Sequence, residues 1–181
     1  SLGNFVLHEG MIGVFGEDGL EQFSYSDIED DREFTVEQIR GGWLGITDKY
    51  WATTVVPQGA FTPKFSYRDA GRVSYQSDYL GEPVTINAGA TASVTQLVFA
   101  GAKEVDIIDN YEAAHSILNF ELLIDWGWFY FITKPLYHLL DILYRFIGNF
   151  GFAILAVTII VKAMFFWFAN KSYESMAKMK K

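Results

Sequence analysis

Two sets of side chains carry the chemistry available to this sequence. The first is Lys162 with Thr158, set inside the apolar run Ile147–Phe168 (IGNFGFAILAVTIIVKAMFFWF), whose only other clearly polar member is Asn149. A spacing of four puts hydroxyl and ammonium on one helix face. A lysine there has two readings. Its stem can lie along the helix while the ammonium reaches the headgroups, or it can face a wet cavity within the bilayer and attract acidic groups. The second set is Lys134, His138, Asp141 and Arg145, at spacings of 4, 3 and 4, which form a narrow polar stripe on an otherwise apolar and aromatic helix.

Other candidates are weaker. Asp27, Glu29, Asp30, Asp31 and Glu33 supply carboxylates but lack the spacing and glycine of a calcium loop, so the stretch is expected to be a solvated loop. Trp43, Tyr50 and Trp51 could stack on a sugar, but aromatics at strand spacing are expected in a core. His8, His115 and His138 are far apart with no shared motif, so neither a metal site nor a catalytic role is expected for them.

The elements that must position these groups follow from periodicity. The apolar run of 22 residues extends about 33 Å as a helix, which matches a hydrocarbon core of about 30 Å. It begins far from the N-terminus and no cleavage site follows it, so it reads as a membrane span and not as a signal peptide. Ahead of it, Trp126–Phe146 is expected to be helical from Pro135 onward, with proline in the first turn. It could be a second span, a core helix or a helix lying in the interface. As a span it would place several ionisable groups in lipid, so the interfacial reading is preferred. Trp126, Trp128 and Tyr130 then stand at headgroup level and Gly148-Asn149 makes the corner.

From Phe5 to about Gly101, short alternating runs separated by turn residues predict antiparallel strands in a β-sandwich. Hairpins are expected for Gly10–Phe15 with Leu20–Tyr25, for Phe61–Arg68 with Val73–Tyr79, and for Pro83–Asn87 with Ala92–Phe99. The period changes over Lys103–Leu123, where one or two short helices are expected to close the domain. The predicted boundaries are 1–124 for the sandwich with its closing helices, 125–146 for the interfacial helix, 147–169 for the span and 170–181 for the start of a further helical segment.

Charge orients the chain. Residues 1–146 hold 21 Asp/Glu against 9 Lys/Arg, whereas residues 147–181 hold five lysines and Glu174 alone. Lys171, Lys178, Lys180 and Lys181 follow the span closely, which places the tail inside and the acidic domain outside. An acidic domain without a basic stripe argues against nucleic-acid binding. No GxxxxGK[ST] loop occurs, no cofactor is indicated, and the absence of cysteine leaves no disulfides. The opening SLGNFVLHEG holds neither signal nor anchor, so the sequence reads as a piece of a longer chain.

Several strings, taken in order, resemble the YidC/Oxa/Alb family, and within it the YidC insertases of Gram-negative bacteria. Gly41-Gly42-Trp43 followed by Lys49-Tyr50-Trp51-Ala52-Thr53 and Pro57 resembles a segment of that family's large periplasmic domain. Asp125-Trp126-Gly127-Trp128, Lys134-Pro135-Leu136 and Gly148-Asn149-Phe150-Gly151 resemble its amphipathic periplasmic helix and the turn into the second span. Thr158–Lys162 and Tyr173–Met179 resemble that span and the start of a cytoplasmic hairpin. The resemblance implies a periplasmic β-sandwich and residence in the bacterial inner membrane as part of a multi-pass protein. It also implies a hydrophilic groove open to the cytoplasm and to lipid, with Lys162 as the groove's basic residue and Thr158 lining it. The implied activity is non-enzymatic insertion of nascent membrane proteins, alone or with the Sec translocon and the ribosome. Two positions depart from the pattern. Many relatives carry Arg where Lys162 stands, and Pro where Trp167 stands, so the helix end expected at Trp167 is in question. The rival reading is a membrane-anchored periplasmic binding or scaffold domain; a sugar-active enzyme on the same sandwich is a weaker third.

Overall fold

The computed structural model describes residues 8–179, and the side chains of all of these except 168 and 172–179. The chain divides into two compact units, one ending at Asp125 and the other beginning at Trp126.

The first unit is a β-sandwich with helices on one outer face. Its strands are β1 (Gly10–Phe15), β2 (Leu20–Ser24), β3 (Glu33–Thr35), β4 (Ile39–Arg40), β5 (Gly42–Thr47), β6 (Trp51–Val56), β7 (Ala60–Asp69), β8 (Val73–Gly81) and β9 (Leu97–Ala102). One sheet has the order β2-β1-β5-β6-β9; in the other, β7 pairs with β3, β4 and β8, and all pairings are antiparallel. Because side chains alternate along a strand, the five-stranded sheet serves two cores. Met11, Phe15 and Leu44 point toward the second sheet and pack with Phe61, Phe65 and Ile28. Ile12, Val14 and Trp43 point the other way, against Ile108 of helix α2 (Val105–His115) and Phe120 and Leu123 of a 3-10 turn. Trp43 is fully buried, stands edge-on to Phe120 at 5.4 Å, and donates its indole N–H to the Leu118 carbonyl at 3.0 Å. This one side chain ties the sheet to its helical cover.

Two of the expected hairpins are present, with the register Val14↔Leu20 and Asp69↔Val73 closing them. The third is not. Residues 82–96 run exposed and without ladder partners around a turn in which Ala90 N–H bonds the Asn87 carbonyl, and β9 pairs instead with β6, more than 40 residues earlier. Threonines and alanines give this stretch too little apolar surface for either core. The acidic stretch is also a correction: it is a helix, α1 (Tyr25–Asp31), and not a loop. Ser24 caps it, accepting from the Asp27 N–H while its own N–H donates to the Asp27 carboxylate at 2.8 Å, and Ile28 is buried beneath. Trp43 is core as expected, but Tyr50 and Trp51 are 62% and 63% exposed. They stand at the turn into β6, past the end of the covered face.

The second unit is a pair of helices, α3 (Tyr130–Ile147) and α4 (Phe150–Met179), joined at Gly148-Asn149. Gly148 adopts φ 72° and its N–H closes on the Tyr144 carbonyl at 2.8 Å, a left-handed cap open to glycine without strain. Helix α3 begins at Tyr130, five residues ahead of the expected Pro135. The N–H groups of Ile132 and Thr133 both bond the Phe129 carbonyl and form the first turn before the proline is reached. Helix α4 begins at Phe150, three residues after the expected start, and continues without interruption through Trp167. Phe150–Lys171, 22 residues with mean hydropathy 2.2, is long and apolar enough to cross a membrane.

Candidate functional site

The two helices fold back on each other. Tyr144 meets Phe150 edge-on at 5.8 Å beside the corner. Farther out, Thr133, Leu136, Tyr137 and Leu140 of α3 face Ile154, Val157 and Thr158 of α4 across an apolar groove of about 310 Å³. Ala153 and Val157 are buried by this contact.

Thr158 and Lys162 therefore take different surroundings. Thr158 stands at the rim of the groove, and its hydroxyl donates to the Ile154 carbonyl at 2.8 Å, so its hydrogen-bonding demand is met on its own helix. Lys162 is exposed. At about 100° per residue it projects roughly 160° away from the Ala153 and Val157 face. The charge points away from α3, toward whatever surrounds α4. The tail residues Lys180 and Lys181 lie outside the described residues, as does the side chain of Lys178.

On α3 the polar stripe sits about 120° around the helix from the groove-facing side chains. Its members are not equivalent. Arg145 Nε pairs with Asp141 Oδ2 at 2.7 Å one turn away. Lys134 Nζ lies 5.9 Å from the ring centroids of both Trp126 and Tyr130, a cation over aromatic faces. His138 packs beside the Tyr137 ring at 5.7 Å. Trp126 is partly covered by Tyr130 and Tyr137, and its carbonyl accepts the Thr133 hydroxyl at 2.8 Å. Trp128 is 98% exposed and free to enter an interface.

The sandwich carries two features that residue types did not signal. Lys103 is half-buried and donates to Thr47 Oγ1 at 2.9 Å; burial pushes its ammonium below the ordinary lysine range, against the opposing pull of Asp125, Asp48 and Glu9. The Tyr75 hydroxyl bonds the Glu29 carboxylate, which pushes its pKa up to about 12, and its ring packs among Tyr25 and Tyr67, with Arg32 over the latter. The second cluster brings together residues from α1, β7 and β8, too far apart in sequence for any local pattern to join them. Among the described residues no group of three or more His, Asp or Glu is arranged to hold a metal ion.

Residues 1–139 match the family model for the YidC periplasmic domain. The chain is 56% identical over 179 residues to the membrane protein insertase YidC of Rhizobium meliloti, covering 98% of this chain and 30% of that protein. It is 54% identical over 178 residues to the insertase of the same name from Brucella melitensis, covering 97% of this chain and 29% of the relative. A further relative so named, from Agrobacterium fabrum, is 51% identical over 180 residues. The chain thus spans about a third of the length of the relatives it matches.

Proposed function

This chain belongs to the YidC periplasmic-domain family, and on that premise we propose that it forms part of a membrane protein insertase, with a periplasmic sandwich, a peripheral helix and one span of a longer multi-pass protein. The observation that carries the proposal is identity above 50% across nearly the whole chain, span included, to proteins named for insertion. The exposed Lys162 within the apolar stretch of α4 supports it physically: a charge in lipid is costly unless water or protein shelters it. Further spans of the full protein would supply that shelter as a hydrophilic groove, with Thr158 and Lys162 along one wall. An acidic segment of a nascent membrane protein would be drawn briefly toward Lys162 while its apolar segment passes into lipid. The wet groove shortens the low-dielectric distance that the charged segment crosses. No covalent chemistry is required; client hydrophobicity and, for acidic segments, the membrane potential supply the driving force.

In this arrangement α3 lies at the outer face of the bacterial inner membrane. Trp126 and Trp128 enter the headgroup layer, and Lys134, His138 and Arg145 anchor the stripe there. Residues 1–146 are then periplasmic and residues 170–181 begin a cytoplasmic hairpin. Cooperation with the Sec translocon and with ribosomes belongs to the same proposal and rests on the family resemblance.

The test is client insertion in cells depleted of the native protein and supplied with full-length protein carrying Lys162→Ala or Lys162→Glu, with variant abundance monitored. Loss of insertion for acidic-tailed clients, greater for glutamate than for alanine, is the expected result. Equal activity of both variants would reduce Lys162 to a snorkelling anchor. The tethered-scaffold reading is separated by removing most of residues 1–100 from the full-length protein: insertion should survive, whereas a function resident in the sandwich would vanish.

A further inference from the structure

The register of the five-stranded sheet gathers one set of strand ends together. Gly10 pairs with both Ser24 and Thr47, Thr47 with Ala52, and Trp51 with Ala102. The turn between β5 and β6 therefore shares an end of the sheet with the start of β1 and the last residues of β2 and β9. The turn Gly16–Gly19 closes the opposite end, one six-residue strand or about 20 Å away.

The sandwich also ends beside the β5–β6 turn. Lys103, directly after β9, donates its backbone N–H to the Tyr50 carbonyl at 2.9 Å and its ammonium to Thr47 Oγ1 at 2.9 Å. The carboxylates of Asp125, the last residue of the sandwich unit, and of Asp48 act on that same ammonium. The next residue after Asp125 begins the helical unit.

The turn itself is fixed and aromatic. Asp48 N–H bonds the Trp51 carbonyl at 2.8 Å, and Lys49 N–H bonds the Asp48 carboxylate at 2.7 Å. Side chains alternate along β6, and on the face that Trp51 shares, exposed Trp51 and Thr53 are followed by half-buried Val55, which packs against the core between the sheets. The second sheet thus covers Val55 and stops short of the turn. Opposite Trp51 stands Ala102, whose methyl group covers little of an indole. Lys49 Nζ lies 5.1 Å from the centroid of the exposed Tyr50 ring. The other exposed aromatic among the described residues of the sandwich, Tyr111, packs on Phe99 and His115.

A single exposed apolar side chain is ordinary on a protein surface. Tyrosine, tryptophan and lysine side by side are the chemistry of a membrane–water boundary: the two rings have apolar bodies and polar groups that stay hydrated, and a lysine stem lies along them with its ammonium among phosphates. Charge narrows the choice of lipid. Residues 1–125 hold 20 Asp/Glu against 7 Lys/Arg, so an acidic lipid surface would repel the domain, and a zwitterionic one would not.

We propose that the turn Lys49-Tyr50-Trp51 is a membrane contact of the sandwich, seated in the zwitterionic headgroup layer of the leaflet at which α4 begins. Tyr50 and Trp51 supply the attachment and Lys49 lies over them toward the phosphates. The contact rests on the reading of α4 as a span and gives the sandwich a hold on the membrane besides its covalent link to the helical unit.

The test uses full-length protein in phosphatidylcholine nanodiscs, in a background free of other cysteines, with one fluorophore attached at Lys49→Cys or, at the opposite end of the same sheet, at Asp18→Cys. The quencher is a nitroxide on the lipid headgroup. The expected result is quenching several-fold stronger at position 49 than at 18, unchanged between low and high salt, and reduced to the level at 18 when Tyr50→Ser and Trp51→Ser are added. Those two side chains are exposed, so circular dichroism and the thermal midpoint should stay near those of the parent; if the double variant fails to fold, the contrast between positions 49 and 18 still decides. Equal quenching at the two positions overturns the proposal, and this is also the result if other segments of the full protein cover the turn. Quenching at 49 that disappears in high salt, or that survives the loss of both aromatics, overturns it as well. A fluorophore at Leu155→Cys with the nitroxide on the acyl chains checks the span separately: no quenching there removes the reading of α4 and the proposal with it, whereas quenching there without contrast at 49 removes the proposal alone.

Discussion

The more apolar of the two units is the less buried. In the sandwich the large side chains Trp43, Phe15, Phe61, Phe65 and Phe120 are shut from solvent, and every large side chain with less than 2% exposure among the described residues lies there. Among the described residues of the helical unit only Ala153 and Val157 are buried, although Phe150–Lys171 has a mean hydropathy of 2.2. Hydrophobicity in the sandwich is spent inward, on a core of its own. In α3 and α4 it is displayed outward, and the surroundings that match it are lipid and other helices. The same residue type therefore does different work on the two sides of Asp125.

The sharpest way to test that difference is one substitution made twice. Leu44→Ala removes a fully buried side chain from the sandwich and should cost about 2–5 kcal/mol in urea unfolding of that unit. Leu155→Ala, at a position 59% exposed on α4, should change helix stability in detergent by no more than about 0.5 kcal/mol. Equal costs would mean that α4 is packed as a core helix. Ser24→Ala comes next: loss of the α1 cap should lower sandwich stability by about 1 kcal/mol, read as a lower denaturation midpoint with an unchanged slope.

The pH response carries a smaller effect. Hydrogen bonds from the Ser24 side chain and backbone hold the Asp27 carboxyl below its usual range. The stabilisation is therefore present above the unfolded value near 4 and is lost as pH falls through the lower folded value. Thermal midpoints of parent and Asp27→Asn should differ at neutral pH and converge in acid below that window; a constant gap would remove the charge from the account. The smallest effect is expected for Arg145→Ala, since an exposed i,i+4 pair contributes about 0.3–0.5 kcal/mol. Helicity of α3 should barely move.

What could be read in advance divides along physical lines. The hairpins around Gly16–Gly19 and Asp69–Gly71 are local, and alternation with turn residues exposed them. The pairing of β9 with β6 spans more than 40 residues, and nothing in either strand names its partner. Helix α1 was hidden because five acidic residues suggested solvation; Ser24 with Asp27 three residues on, and apolar Ile28 next, was the usable signal. Pro135 misled in the opposite direction, since proline suits a first turn but does not require one. A spacing of four puts Lys162 and Thr158 one helical turn apart, but spacing does not tell that Thr158 borders α3 while Lys162 turns away. That distinction depends on which side of α4 the neighbouring helix occupies.

Helix α4 runs 30 residues from Phe150 to Met179 with no break where the apolar stretch ends. At 1.5 Å per residue it is a rod of about 45 Å, and it has no hinge at Trp167. Such a rod works as a lever. A tilt of about 10° at the corner would displace its far end by roughly 8 Å for that length, so a small adjustment at the Gly148 end would be delivered to the Met179 end as a displacement, without any signal having to pass through packed side chains.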